Sequence, residues 1–357
     1  MTNLGCRQTV TTSSHEMRIP VLFKAISYCS LTVAILANAI LIYLLATKAG
    51  AWLGAYKKLM MVFAVASISY SVSDALHQPI MIAKNGGYIA ISTGPFTESS
   101  AGDYIGAIFC ANYCNTLLMI SLHYIYRYFS ICTANRITLF DGIYFLVWFA
   151  PISLLNTAWF CAVFFLIGKD DLIDETFRDE VLDFYDVKIE NVSYFAPYYF
   201  YIENGEMKMY AKGAVMVAFA LVVQSITLTV IIYCGSKTYR ALKILRNSDV
   251  KKKLQTKLFN MLIVQTGSPL LLMYSSIIVL LISPWFGISL GRYAILISCA
   301  VAIYPATEPI IILYFLEDFK RTIIGWFIRR SGNYQEEANN DVSRRTNVVV
   351  SYVETIV

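Results

Sequence analysis

Two carboxylates stand where a charge is costly, and an arginine closes a third apolar run. Asp74 interrupts the otherwise uncharged run 59–83, Glu308 interrupts the run 293–316, and Arg127 ends the run 104–126. A charged side chain at the centre of a bilayer costs at least ~2.5–3.5 kcal/mol, so such a group must face a protein interior and find a partner. At ~1.5 Å per helical residue Asp74 and Glu308 differ in depth by about 10 Å, a gap that water and Asn38 of the first run could bridge. The chemistry open to them is a polar switch, Asn38, Asp74 and Glu308, whose hydration changes with conformation. The alternative is a pair of neutral carboxyls satisfied by neighbouring hydroxyls. Glu308 lies between Pro305 and Pro309, where helix hydrogen bonds are already broken. Arg127, inside His123-Tyr124-Ile125-Tyr126-Arg127-Tyr128, is placed to meet a cytoplasmic partner, to lock the bundle shut, or to sit in an interfacial aromatic belt.

Covalent chemistry has no such foothold. The sequence carries no Gly-rich phosphate loop, no nucleophile elbow and no His/Cys cluster at metal-ligand spacing, and its three histidines are far apart. The last run has no lysine for a retinal Schiff base. No cofactor, no metal, no catalytic residue and no nucleic-acid partner is expected.

The elements that must hold these groups are membrane spans. Of 357 residues 57% are hydrophobic and 15% charged, with a net charge of +5, whereas soluble domains are about 25% charged. Runs of roughly 20 apolar residues can cross a bilayer. Seven occur, at 25–47, 59–83, 104–126, 142–168, 213–236, 258–283 and 293–316, the sixth ended at the turn cluster beginning Ser283-Pro284. With residues 1–24 outside, the inner segments hold 17 basic residues against 10 in the outer ones, and the outer segment 169–212 adds 11 acidic residues. The positive-inside rule therefore places the N-terminus outside. Residues 1–20 lack an apolar h-region, so no removable signal peptide is expected.

The fold class is thus an all-α, seven-helix bundle of the receptor type, followed by an amphipathic membrane-surface helix at 317–330 and a disordered cytoplasmic tail at 331–357. In the surface helix Phe319, Ile323, Trp326 and Phe327 alternate with Lys320, Arg321, Arg329 and Arg330. The fifth helix extends past the membrane through Tyr239, Leu242 and Leu245, Ser248 or Asp249 caps the next helix, and Lys251-Lys252-Lys253 lead into it. These basic ends suit anionic membrane lipid or the groove of a partner. Asn191-Val192-Ser193 is a glycosylation sequon in the outer loop, Cys110 could pair only with Cys6, and the ending Glu354-Thr355-Ile356-Val357 suits a PDZ protein.

Several stretches resemble the nematode serpentine chemoreceptors of class r (str), the group to which the diacetyl odorant receptor belongs. They are Leu53-Gly54-Ala55-Tyr56-Lys57-Lys58-Leu59-Met60, Ser69-Tyr70-Ser71-Val72-Ser73-Asp74 with Pro79, and the stretch from His123 to Tyr128. Trp148 with Pro151, Ile189-Glu190, Tyr304-Pro305-Ala306-Thr307-Glu308-Pro309 and Leu316-Glu317-Asp318-Phe319-Lys320-Arg321 complete them. Together they span roughly residues 30–330. In the family Asp is more usual where Glu308 stands, and Met81-Ile82-Ala83-Lys84-Asn85-Gly86-Gly87 departs from its pattern.

The resemblance implies a chemosensory receptor in the plasma membrane of sensory cilia, coupled to a heterotrimeric G protein. Arg127, Tyr128, Arg240, Lys243 and Lys252 would face that partner. Phe109, Asn112 and Tyr113, with Gln224, Tyr274 and Tyr293, are the candidates for the ligand pocket. They carry no full charge, so the expected ligand is small, neutral and volatile. Pro269, with Thr266 and Ser268 beside it, is the expected hinge. The rival readings are a seven-span ligand-gated channel, which would put the N-terminus inside, and a small-solute transporter, which would show two similar halves.

Overall fold

The structure is a computed structural model, and it describes residues 21–50, 53–84, 86–244, 250–286, 288 and 290–330. Among the described residues seven helices are long and apolar enough to cross a membrane: Val21–Thr47, Ala55–His77, Ser100–Cys132, Tyr144–Leu166, Ala211–Ile244, Lys252–Phe286 and Ile295–Phe315. They are called here the first to seventh spans. Large apolar residues such as Leu154, Phe165 and Leu271 are exposed on their outer surfaces. Polar residues such as Asn38, Asp74, Arg127 and Glu308 are buried within. This inversion of the soluble pattern is what a hydrocarbon solvent requires. An eighth helix, Glu317–Arg330, turns off at Leu316, and Lys257 of the sixth span pairs with its Glu317 at 2.5 Å.

Consecutive spans alternate in direction, so the bundle has two ends. One, the cap end, carries the start of the first span and the connections after the second, fourth and sixth. The other, the basic end, carries the remaining connections.

The spans at the basic end outrun their apolar runs. The third continues to Cys132 and the fifth to Ile244, because Arg127, Lys237 and Arg240 extend a helical ladder without needing to be in lipid. The second does the opposite. It stops at His77, six residues before the hydrophobicity does, with Gln78 in a left-handed conformation (φ 45°) and Pro79 next. Proline offers no N–H to continue the ladder and disfavours helix at the residue before it. The apolar residues that follow become strand β1, Pro79–Lys84, which turns at Gly86 and pairs antiparallel with β2, Gly87–Ser92. At Gly86 φ is +99°, and an added Cβ would lie 2.0 Å from the Phe200 carbonyl oxygen, so no other residue fits.

The loop after the fourth span completes this cap. Its helix Asp171–Tyr185 buries Ile173, Phe177, Val181 and Tyr185 at intervals of four. Strand β3, Tyr194–Phe195, pairs with β2, and β4, Phe200–Glu203, forms a hairpin with β5, Glu206–Met209. Lys84 of β1 pairs with Glu180 at 2.5 Å and donates to the Thr176 carbonyl at 2.8 Å, fastening sheet to helix.

Asp170 caps that helix by accepting from the Leu172 N–H and pairs with Lys212 at 2.8 Å. Partial burial works to raise its pKa, but Lys212, Tyr210 and the Leu172 N–H outweigh that and hold it below the usual value. A depressed folded-state pKa gives stability that is present at neutral pH and lost as pH falls below the ordinary Asp value of about 3.9. Asp170→Ala is expected to cost ~1 kcal/mol at pH 7. Its melting temperature should converge on that of the parent as pH drops through the acidic range, and a gap independent of pH would refute the assignment.

Candidate functional site

A cavity of about 70 Å³ lies near the cap end. The third span contributes Phe109, Cys110 and Tyr113, the fourth Trp159, Val163 and Ile167, and the fifth Met216, Val217, Ala220 and Gln224. Ile277, Leu281 and Val301 close it from the sixth and seventh spans, and Met81, Tyr88, Phe195 and Pro197 of the cap form its roof. No charged side chain is among them. Its polar groups are few: the Tyr88 and Tyr113 phenols, the Gln224 amide, the Cys110 thiol and the Trp159 indole, whose N–H is buried with no partner. The volume is about half that of an engineered 150 Å³ cavity that holds benzene.

Of the residues expected to bind ligand, Phe109, Tyr113 and Gln224 line this cavity. Tyr274 stands behind it. Thr227 gives its proton to the Gln224 carbonyl, so the hydroxyl it shares with Tyr274 at 3.1 Å must accept. Two expectations fail. Asn112 faces the second span, donating to Ser73 at 3.0 Å and to the Ser69 carbonyl, because the third span turns that face away from the cavity. Tyr293 is 71% exposed in a turn ahead of the seventh span, since that helix begins only at Ile295. The lining residues that sequence reasoning missed include the whole roof, Met81, Tyr88, Phe195 and Pro197 of the cap. Their signal was present: Ile and Tyr residues flanking the turn residues Asn85-Gly86-Gly87 are a hairpin pattern.

Below the cavity the sixth span is tied to three neighbours by polar contacts. Gln265 donates to Glu308 Oε1, and Tyr304 donates to Glu308 Oε2 at 3.2 Å. Ser268 and Thr307 hydroxyls meet at 2.5 Å. The expected relief at Pro269 takes another form. Thr266 donates to the Leu262 carbonyl and Ser268 is engaged with Thr307, so neither serves the carbonyl freed by the proline. A single π turn, Leu270–Tyr274, takes up the irregularity and delivers Tyr274 to the core.

The expected bridge between the two buried carboxylates is absent from this arrangement. Asn38 donates to Ser67, which donates to the Pro305 carbonyl, so it links the first, second and seventh spans without touching Asp74 or Glu308. Ser27 faces Asp74 from the first span short of hydrogen-bond geometry, and Asp74 Oδ1 is buried without a partner. Glu308 is the satisfied carboxyl and Asp74 the unsatisfied one.

At the basic end Arg127 is 1% exposed. Its guanidinium carbon lies 3.7 Å from the centre of the Tyr56 ring, which stacks on Tyr126, and its Nη1 donates to Gln255 Oε1 of the sixth span at 3.0 Å. Nε and Nη2 have no partner. A buried arginine held by one neutral amide and the rings of Tyr56 and, at 5.8 Å, Tyr126 is costly to keep. Tyr128 is half-buried against Tyr233, Arg240 and Lys243 are exposed on the fifth helix with Lys243 over the Tyr239 ring, and Lys252 begins the sixth span. Asn191 is exposed at the cap end while Ser193 of its sequon is buried and donates to the Ser99 carbonyl. Cys110 is a free thiol; Cys6, the caps at Ser248 and Asp249, the side chains of Trp326, Phe327, Arg329 and Arg330, and the segment 331–357 with its PDZ-type ending lie outside the described residues.

Residues 23–324 match the model of the serpentine type 7TM GPCR chemoreceptor Str family. The chain belongs to that family. It is 32% identical over 308 residues to serpentine receptor class r-10 of Caenorhabditis elegans, covering 85% of this chain and 91% of that one. It is 31% identical to the receptor of the same name from Caenorhabditis briggsae, over 88% of this chain and 93% of that one. It is 23% identical to G-protein coupled receptor str-33 of C. elegans, over 88% and 94%. Squid rhodopsin superposes with a TM-score of 0.55 at 12% identity, covering 90% of this chain and 91% of that one, which shows the shared seven-helix fold. This Str receptor is therefore a multi-pass membrane protein of the G-protein-coupled-receptor type, and its named relatives are receptors rather than enzymes.

The Glu308–Gln265 tie can be weighed directly. Gln265→Leu leaves a buried carboxyl short of a donor and is expected to cost about 1–3 kcal/mol. Replacing both partners, Gln265→Leu with Glu308→Leu, should recover much of that loss in a melting experiment. Losses that simply add would show the two groups to be independent.

Proposed function

We propose that this receptor is chemosensory, with the cap end outside the plasma membrane and the basic end facing a heterotrimeric G protein. A small neutral ligand occupies the apolar cavity, and the sixth span relays its presence to Arg127. One observation carries the reading. Arg127 is buried, under-partnered and tied to Gln255 of the sixth span, while the cavity that would take a ligand touches the same span at Ile277 and Leu281. Tyr113 and Arg127 are 14 residues apart on the third span, about 21 Å at ~1.5 Å per residue.

A ligand can shift the bundle only by binding one arrangement better than another. The cavity is uncharged and small, which suits a volatile molecule held by apolar contact and one or two hydrogen bonds, with the Trp159 N–H and the Gln224 amide as donors. Filling it presses on the sixth span above the π turn, where Tyr274 meets Thr227. An outward swing of the opposite end would break the Gln255 contact and free the guanidinium for the G protein, beside Tyr128, Arg240, Lys243 and Lys252. Attraction of these basic groups to anionic lipid would hold that end at the inner leaflet.

Arg127→Ala should abolish G-protein signalling with surface expression intact, in a second-messenger assay using volatile ketones, alcohols and esters. Gln255→Leu should raise basal signalling, since losing about 1.5 kcal/mol from the closed state changes the ratio of states roughly tenfold. Ala220→Leu, which fills the cavity, should remove the ligand response without lowering the melting temperature. Normal signalling from Arg127→Ala would overturn the role given to it, and a conductance that needs no G protein would replace the receptor with a channel.

The orientation has its own check. Asn191 should carry a glycan if the cap end is outside, so a glycosidase should lower the mass of the expressed chain and leave Asn191→Gln unchanged. Glycosylation of a sequon engineered into the segment 133–143 instead would reverse the assignment.

A further inference from the structure

The cap end holds a second cavity that the reading above does not use. Its volume is about 180 Å³, and half of its character is polar: His77, Asp103, Gly106, Lys169 and Tyr194 are on its wall. Val163 and Phe195 belong to the walls of both cavities, so they partition one from the other.

His77 is 1% exposed, its ring lies between those of Phe109 and Phe195 with centroids 5.5 Å from each, and neither ring nitrogen has a partner. It can lie there because Gly106 has no side chain: a Cβ at that position would be 2.9 Å from His77 Cε1. Asp103 precedes Gly106 by one helical turn and so shares the face of the third span against which the imidazole rests. Its Oδ1 is likewise buried without a partner. Each such group carries a desolvation cost unless something in the cavity completes it.

Of the three unpartnered atoms two call for a donor and one, the N–H of the neutral imidazole, for an acceptor. A carboxylate only accepts, and a neutral imidazole accepts at one nitrogen. Tyr194 cannot supply the proton, because its hydroxyl already donates to Asp174 Oδ1 at 2.6 Å. Lys169 is exposed at the rim and does not reach the Asp103 oxygen. An anion drawn by Lys169 would sit beside the Asp103 carboxylate, whereas a cation would face that carboxylate and the ring of Phe195.

We propose that this cavity binds a small primary ammonium ion, with N–H groups directed to Asp103 Oδ1 and to the unprotonated nitrogen of His77. It is a second site, independent of whether the apolar cavity takes a neutral ligand, and its test reads binding rather than signalling. The purified full chain in neutral-lipid nanodiscs is titrated with propylammonium chloride, with propan-1-ol as the neutral probe of the same shape and sodium chloride as the ionic-strength control. A saturable rise in melting temperature is expected with propylammonium alone. Asp103→Asn should weaken the apparent affinity at least tenfold, and Lys169→Gln, which removes the rim cation, should tighten it. No saturable effect, or an equal effect from propan-1-ol, would mean that the cavity holds water only and would overturn the proposal, as would an undiminished affinity in Asp103→Asn. If Asp103→Asn does not fold, Gly106→Ala decides the matter: its Cβ displaces the His77 ring and must weaken binding, and unchanged affinity there overturns the site.

Discussion

The polar contacts of the sixth span, set inside an otherwise apolar bundle, are the constraint on which the rest of this receptor depends. Hydrocarbon gives a buried polar group nothing to bind, so each one must find its partner on a neighbouring helix. Along one helix Tyr274 reaches the fifth span, Ser268 and Gln265 reach the seventh, and Gln255 reaches the third. The sixth span is thereby fixed in rotation and depth at several levels at once. The π turn after Pro269 is the one irregularity between these ties among the described residues.

The two ends of the bundle solve different problems. At the cap end, backbone that has left the helices is folded into a small sheet and a capped helix, which satisfies its N–H and C=O groups and roofs the cavity. At the basic end the helices simply run on into water, and the buried arginine is shielded by Tyr56, Tyr126 and His123 rather than by an acid. Among the described residues no carboxylate meets it, and that matters physically: an ion pair would hold this arrangement by a charge-assisted contact that is hard to break, while one amide and two ring faces leave a shallower well.

Much of the site was legible one residue at a time and little of it as a set. Asp74, Arg127 and Glu308 stood out because each is a charge in an apolar run, a property of the sequence alone. Phe109, Tyr113 and Gln224 followed from depth along their spans. Asn112 and Tyr293 did not hold, because depth says nothing of the face a helix turns inward or of where a helix starts. Gln255 and Gln265 carried no signal at all: an uncharged amide in a long helix is ordinary until its partner is known. Asn38 was rightly marked as an interior polar group, yet its partner proved to be Ser67.

The sequence by itself determined the seven spans, the family, and the burial of the two carboxylates, since these follow from how many apolar residues cross a bilayer and how costly a charge is within it; whether Arg127 is buried or interfacial it left open. The tertiary structure fixed where the second span stops and a strand begins: the apolar run after His77 suits either, Pro79 and the turn residues Asn85-Gly86-Gly87 favour the hairpin locally, and the backbone of Phe200 against Gly86 secures it. It also decided that Glu308 is partnered and Asp74 is not, and that His77 and Asp103 share a cavity. Such pairings depend on the rotation of each helix about its axis, which is set by packing against neighbours distant in the chain.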